Sequence, residues 1–227
     1  GCWTWPPAGP TARTCTRGSP ARPQESGGRP PIGVRREGRL DAVVASYGYH
    51  GTVLGIRELT LSGDFGSVVE QRIEERFDHP VMVLFFNSWG GDMAPGSVPE
   101  PPGTTGPVQP GGFDRMERVG DAVADVVVPA IASLCGIGSD GNCVDSTPID
   151  GLDTRCVPIS IRENLPKQTV LTAGSIGGFS FVTGPGEWST ALAAGVLDRV
   201  RAVSGGEAMF IGYANDYTGY SLNERDW

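Results

Sequence analysis

The sequence predicts an α/β fold in which mixed β-sheets are flanked by helices, and three patterns support this prediction. Short continuous apolar runs, such as residues 81–86, indicate buried strands. Longer segments with apolar residues at helical spacing, such as residues 114–133, indicate amphipathic helices. The order strand, turn, helix, strand over residues 179–213 is typical of a βαβ unit.

Taken in order, the patterns predict five strands and three helices. Strands are expected near residues 42–47, 81–86, 168–173, 179–183 and 207–213, and helices over about 65–77, 114–133 and 188–203. Two regions, residues 97–112 and 135–166, are expected to be irregular and to form rims around a site, because long loops in compact domains are often functional.

The overall composition suits a globular protein. The chain has 227 residues, enough for one domain or part of a larger one, and 39% of them are hydrophobic. The formal net charge is −8 and the pI is near 4.8, so nucleic acid is not an expected partner. No run of about 18 apolar residues occurs, so we expect no transmembrane segment.

Residues 1–38 differ from residues 39–227, and we predict a domain boundary between them. The first 40 residues hold seven Arg against two Glu, together with seven Pro and seven Gly. Apolar periodicity is absent, so we expect this head to be disordered or loosely packed. It is either a basic tail for anionic membranes or a linker or non-native stretch, and the scattered arginines favour the second interpretation.

The chain begins with Gly1 and ends at Trp227, directly after a polar loop, and we interpret it as a fragment of a longer protein. No signal peptide is visible, which for a fragment says nothing about the compartment.

The five cysteines include no Cys-x-x-Cys pair, so a thiolate zinc site is not expected. Cys135 and Cys143 flank a Gly-rich stretch and either form a disulfide or remain free. A disulfide would indicate a secreted or periplasmic protein.

Polar residues follow several of the predicted strands. Glu187 comes after the turn 184–186, where we expect a helix to begin, and residues 215–220 follow the last strand. If the two strands are parallel, Glu187 and this loop lie at the same sheet edge, where ligands usually bind. Alternatively, Glu187 is only a favourable first-turn residue and the loop tyrosines are rim aromatics.

Two further segments also place polar residues at the end of a predicted strand. His50 lies at the end of the strand 42–47, beside glycines that allow tight turns. The buried strand 81–86 opens into a Gly-rich polar loop that contains Gly91 and Asp92. Such loops often carry catalytic groups.

These segments resemble the neutral/alkaline non-lysosomal ceramidase family over roughly residues 40–227. Gly184-Pro-Gly-Glu187 and Asn215-Asp-Tyr-Thr-Gly-Tyr220 resemble its Pro-Gly-Glu and Asn-x-Tyr-x-x-Tyr segments, and His50-Gly-Thr52 resembles a zinc-ligand segment. The resemblance implies a ceramidase catalytic-domain-like fold that binds Zn²⁺ through His50, Glu187 and Tyr220. It also implies a further histidine ligand, which residues 1–38 do not contain.

The sequence departs from the family at Ala94, in a segment that resembles Gly-Asp-x-Ser-Pro, where the family has its nucleophilic serine. The resemblance implies hydrolysis of the N-acyl bond of a sphingolipid-like substrate, and we expect a water molecule activated by the metal to replace the serine. Asp92 would orient that water or accept its proton, and Tyr217 would stabilise the oxyanion. Gly91 and Asn215 are expected substrate contacts.

Two alternatives remain open. One is a catalytically weak or inactive member of the same fold that binds lipids or glycans, and the other is a metal hydrolase with a different substrate. For the enzyme, the expected partner is a ceramide-like lipid, with peripheral membrane contact and a secreted or periplasmic location.

Overall fold

A computed structural model describes residues 12–15, 31–37, 39–55, 58–93, 112–135, 146–149, 152–162 and 165–224. The strands in these residues are β1 (Ala12–Cys15), β2 (Ile32–Arg36), β3 (Arg39–Tyr47), β4 (Met82–Asn87), β5 (Ser146–Pro148), β6 (Leu152–Arg162), β7 (Leu165–Ile176), β8 (Phe179–Thr183), β9 (Glu187–Trp188), β10 (Ala208–Ile211) and β11 (Tyr220–Ser221). The helices are α1 (Asp64–Glu74), α2 (Phe113–Cys135) and α3 (Thr190–Ser204). The α/β fold with mixed sheets is confirmed.

The first sheet has the strand order β4-β3-β2-β1-β5. β3 and β4 are parallel, as expected for strands joined through α1, while β1, β2, β3 and β5 pair antiparallel. Helices α1 and α2 contact each other and contribute to the main apolar core with β3 and β4. The largest side chains buried in this core include Phe65, Ile73 and Ile131.

The second sheet has the order β10-β8-β7-β6 and contains the predicted βαβ unit. β8 and β10 are parallel, with Phe181 opposite Met209, and α3 connects them and packs on them through Ala193 and Leu197. A third apolar cluster joins the two sheets, because Ile32 of β2 packs with Phe179 and Met209. This arrangement brings the carboxyl ends of β3, β4, β8 and β10 into one region.

Strand β6 corrects the prediction that residues 135–166 are irregular. It pairs antiparallel with β7 along most of its length. Most of the β6 side chains for which burial is described are exposed, so the segment carries no apolar periodicity that sequence reading could detect. Its strand conformation comes from pairing with β7.

Two strands also lie within the head, and the sequence patterns did not predict them. β2 pairs with β3, and Ile32 is only 4% exposed. The expectation that the head packs loosely therefore does not hold for Ile32–Arg36. The division between residues 1–38 and residues 39–227 stays a prediction.

Several other expectations concern residues outside the described ranges. Ala94 and most of the predicted loop 97–112 lie there, as does Cys143. Cys156, on β6, is disulfide-bonded. Within the described part of the chain, no helix is both long and apolar enough to cross a membrane.

Candidate active site

His50 lies just beyond β3 and is held by the carbonyl oxygen of Met93. That oxygen accepts hydrogen bonds from the backbone N–H of His50, at 3.2 Å, and from its ring Nδ1, at 2.8 Å. A carbonyl oxygen only accepts, so Nδ1 carries a proton. The other ring nitrogen, Nε2, points towards Glu187.

Glu187 is brought to the site by a turn and a short strand. Gly186 adopts a positive φ of 71°, and the N–H of Glu187 then donates to the carbonyl of Gly219, at 2.9 Å. This pairing makes Glu187 the first residue of β9, opposite Tyr220 of β11. The prediction that Glu187 begins a helix is wrong, because the chain pairs with β11 first and α3 begins only at Thr190.

Tyr217 and Tyr220 both reach Glu187 from the loop after β10. The hydroxyl of Tyr217 donates to Glu187 Oε1 at 2.7 Å. The hydroxyl of Tyr220 hydrogen-bonds Glu187 as well and lies 3.4 Å from His50 Nε2. The structure therefore brings His50, Glu187, Tyr217 and Tyr220 together, although they span 170 sequence positions.

Tyr213 is a further member of this group that the sequence analysis missed. It has a positive φ of 55°, its side chain is partly buried, and its hydroxyl contacts Glu187. Its place directly after Gly212 at the end of β10, in the same loop as Tyr217, is the sequence signal that points to it.

The surroundings of Glu187 favour its ionised form. Burial alone would raise the pKa of this carboxyl, but hydrogen bonds from Tyr217, Tyr220 and His50 outweigh burial and lower the pKa. The carboxylate in turn raises the pKa of Tyr217 and of Tyr220, mainly through the same hydrogen bonds. The pKa of Tyr213 is raised first by burial and then by the charge of Glu187.

The contact between His50 and Glu187 needs a proton or a cation between the two groups. Nδ1 of His50 holds a proton for Met93, so in the neutral ring Nε2 presents a lone pair. That lone pair faces the carboxylate of Glu187, which is also only an acceptor. Either a proton on Nε2 or a metal cation among these atoms makes the arrangement favourable.

Asp92 does not contact this group through any described hydrogen bond. Its Oδ1 accepts from the backbone N–H and the hydroxyl of Thr190, at 2.9 Å and 2.7 Å. Gly91, predicted to contact substrate, donates its N–H to the carbonyl of Trp188 at 2.9 Å. Both residues therefore connect the loop after β4 to the segment that carries Glu187.

Asn215 has a clear structural role. Its side-chain amide donates to the carbonyl of Val170 at 2.8 Å and to the hydroxyls of Thr172 and Thr183, at 3.2 Å and 2.9 Å. These bonds attach the loop after β10 to β7 and β8. The predicted substrate contacts of Gly91 and Asn215 stay predictions.

The fold and the site together define a class: an α/β protein with a His–Glu–Tyr cluster at the carboxyl ends of its parallel strands. No protein-family model matches the sequence, and no curated protein is significantly similar to it. The fold is nevertheless that of known ceramidase structures.

One such structure is the neutral ceramidase from Pseudomonas aeruginosa, with a TM-score of 0.64 and 14% identity over 84% of this chain. Another is a ceramidase complexed with C2, with a TM-score of 0.60 and 13% identity over 85% of this chain. The present chain spans 40% and 42% of the lengths of those two chains.

Proposed function

We propose that this chain carries the metal site of a zinc-dependent amide hydrolase that cleaves the N-acyl bond of a sphingolipid-like substrate. The observation that carries this proposal is the convergence of His50 Nε2, the Glu187 carboxylate and the Tyr220 hydroxyl, an arrangement that a metal cation among them would stabilise. The fold shared with ceramidase structures supports the substrate class.

The donor set fits zinc. One imidazole nitrogen, one carboxylate and one phenol oxygen suit a borderline divalent ion. These are three of the ligands in the proposed site, and the further histidine that the resemblance implies is not among residues 1–38. In the described residues no group of three or more His, Cys, Asp or Glu has the geometry to hold a metal, so the phenol of Tyr220 is needed to complete the set.

Hydrogen bonds from neighbouring residues fix the orientation of the proposed ligands. Met93 orients the ring of His50 through Nδ1, and Tyr217 holds Oε1 of Glu187, which leaves Oε2 directed towards His50. Hydrogen bonds to the other face of a ligand orient it and tune its basicity. Since the carboxylate keeps Tyr220 a phenol, ionisation of Tyr220 requires the charge of the metal.

When bound, zinc would polarise the amide carbonyl and lower the pKa of water, which are the two contributions that amide hydrolysis needs. The side chains of Tyr217 and Tyr220 are each 57% exposed, so the cluster is open to a substrate. The one hydroxyl proton of Tyr217 goes to Glu187, and the described hydrogen bonds of Asp92 go to Thr190. The roles of Tyr217 as oxyanion donor and of Asp92 as proton acceptor therefore stay predictions.

The substrate is a ceramide-like lipid in this proposal, which includes peripheral contact with a membrane surface. The disulfide bond of Cys156 supports a secreted or periplasmic location, because disulfides persist in oxidising compartments.

A non-catalytic lipid- or glycan-binding protein is the second candidate. It is favoured by one observation, the alanine at position 94 where the resembling segment has its nucleophilic serine. Both candidates bind zinc, but only the hydrolase cleaves an N-acyl substrate.

The test is zinc content and fatty-acid release from an N-acyl sphingosine, measured on the full chain and on the variant Glu187→Gln. We expect stoichiometric zinc and slow release in the parent, and loss of both in the variant, because the amide is a poor metal ligand. Glu117→Gln is the control: this glutamate is exposed on α2, and its change should leave both values unaltered.

Zinc without release from any N-acyl lipid, also after the change Ala94→Ser, would favour the binding protein. Absence of zinc from the parent would contradict the metal site.

A further inference from the structure

The three residues Gly91–Met93, here called the clamp, each connect to a different part of the candidate site. The N–H of Gly91 donates to the carbonyl of Trp188, next to Glu187. The carboxylate of Asp92 accepts from Thr190, the first residue of α3, and the carbonyl of Met93 accepts from His50. The clamp therefore contacts His50 itself and the segment that carries Glu187, which are two of the proposed ligands.

The Met93 end of the clamp determines how the ring of His50 is turned. Its carbonyl holds both the backbone N–H and the Nδ1–H of His50, so a shift of Met93 moves the direction of Nε2. Metal-ligating histidines commonly donate their second ring N–H in this way, and loss of the outer partner weakens the metal.

The Asp92 part of the clamp is anchored to the start of α3. Ser189, the N-cap residue, makes no hydrogen bond to the helix through its side chain. Oδ1 of Asp92 accepts instead from the N–H and the hydroxyl of Thr190, which gives the helix a capping oxygen from another loop. The position of Met93, one residue further on, is thereby tied to α3 and β9.

We propose that Asp92 is a positioning residue: by joining the clamp to Thr190 it places the Met93 carbonyl that orients His50. In this role Asp92 needs only an oxygen that accepts hydrogen bonds, and it does not take up or release a proton during the reaction. This proposal rests on the proposed function for the metal, but the orientation of His50 by Met93 is testable without metal.

The experiment compares Asp92→Asn, Asp92→Ala and Thr190→Ala in the full chain. The asparagine keeps an oxygen that accepts from Thr190, whereas the alanine does not. We expect Asp92→Ala to weaken zinc binding by about 10- to 100-fold and Thr190→Ala to weaken it less, while Asp92→Asn stays close to the parent. Zinc affinity is measured by competition with a chromophoric chelator.

A second measurement needs no metal. Only two histidines occur in the chain, so NMR of the imidazole N–H protons separates His50 from His79, which serves as an internal reference. The Nδ1 proton of His50 should exchange slowly with solvent in the parent and in Asp92→Asn, and rapidly in Asp92→Ala.

Asp121→Ala is the control for a general loss of stability. It removes another carboxylate contact, that with Arg72 Nε at 2.6 Å, far from the clamp in sequence, and should alter neither measurement.

The outcomes are distinct. A protected Nδ1 proton in Asp92→Ala would overturn the positioning role. So would loss of turnover in Asp92→Asn with normal zinc affinity, because that result would make Asp92 a catalytic proton acceptor. If the parent binds no zinc while the Nδ1 proton behaves as expected, the proposed function fails and the positioning role stands.

Discussion

At the scale of single residues, Glu187 is the group on which the site depends. It is 6% exposed, yet hydrogen bonds from its neighbours keep the pKa of its carboxyl below the ordinary value. Among the described residues, Tyr213, Tyr217, Tyr220 and His50 interact with it, and His50 and Tyr220 are also the proposed metal ligands. The remaining contacts hold the carboxylate in place.

The phenol of Tyr217 can be tested by its change to phenylalanine. Tyr217→Phe removes the donor to Glu187 Oε1, so we expect zinc affinity to fall by roughly tenfold, within the range seen when an outer partner of a ligand is lost. Tyr220→Phe should reduce affinity further, because it removes a proposed ligand. Chelator competition measures both values.

If zinc affinity is normal in Tyr217→Phe and only kcat falls, the hydroxyl acts on the substrate oxyanion and its contact with Glu187 is incidental.

At the scale of elements, the short parallel pair β9–β11 positions the ligands. Its register places Tyr220 opposite Glu187, and the turn at Gly186 starts the pairing. A Cβ at Gly186 would lie 2.3 Å from the carbonyl oxygen of Gly219, so a larger residue fits there only if the backbone at Gly219 moves.

Gly186→Ala should therefore destabilise the protein by about 3 kcal/mol, from the left-handed backbone and the overlap together. Gly205→Ala is a matched control, because Gly205 has nearly the same φ of 70° but no atom within 4 Å of the added Cβ. That change should cost only about 1 kcal/mol. Denaturant unfolding measures both, and equal losses would show that the contact with Gly219 is unimportant.

At the scale of the whole molecule, two mixed sheets and three helices bring distant segments to one edge. His50 follows β3, the clamp follows β4, and Glu187 and the tyrosines follow β8 and β10. β2 connects the sheets, since Ile32 contacts the cluster formed by Phe179 and Met209. The site thus depends on a segment of the head that composition alone marked as loosely packed.

Ile32→Ala should lower the free energy of unfolding by about 2–4 kcal/mol, as expected for a buried large-to-small change. Leu61→Ala is the control, because Leu61 is 100% exposed and its loss should change stability by less than about 0.5 kcal/mol. Chemical denaturation of the full chain gives both values. A loss below 1 kcal/mol for Ile32→Ala would support the prediction that the head is loosely packed.

Sequence reasoning located the elements that carry their own pattern. The helices α1 and α2 and the strands β3, β4, β8 and β10 agree with the predicted ranges to within a few residues, because buried faces impose a period on the sequence. β1, β2 and β6 were missed since their conformation depends on cross-strand pairing and leaves little periodicity.

For the site, the residue types and their placement after strands can be read from the sequence, and the family resemblance adds His50, Glu187 and Tyr220 as candidate ligands. The partner of each polar atom follows only from the folded arrangement: Met93 for His50, Thr190 for Asp92, and Tyr213 as a further neighbour of Glu187. A hydrogen bond depends on distance and direction between groups that can lie far apart in the chain, by 137 positions for His50 and Glu187 and by 170 for His50 and Tyr220. Periodicity reports which face of an element is buried, and it contains no information about which acceptor that element will meet.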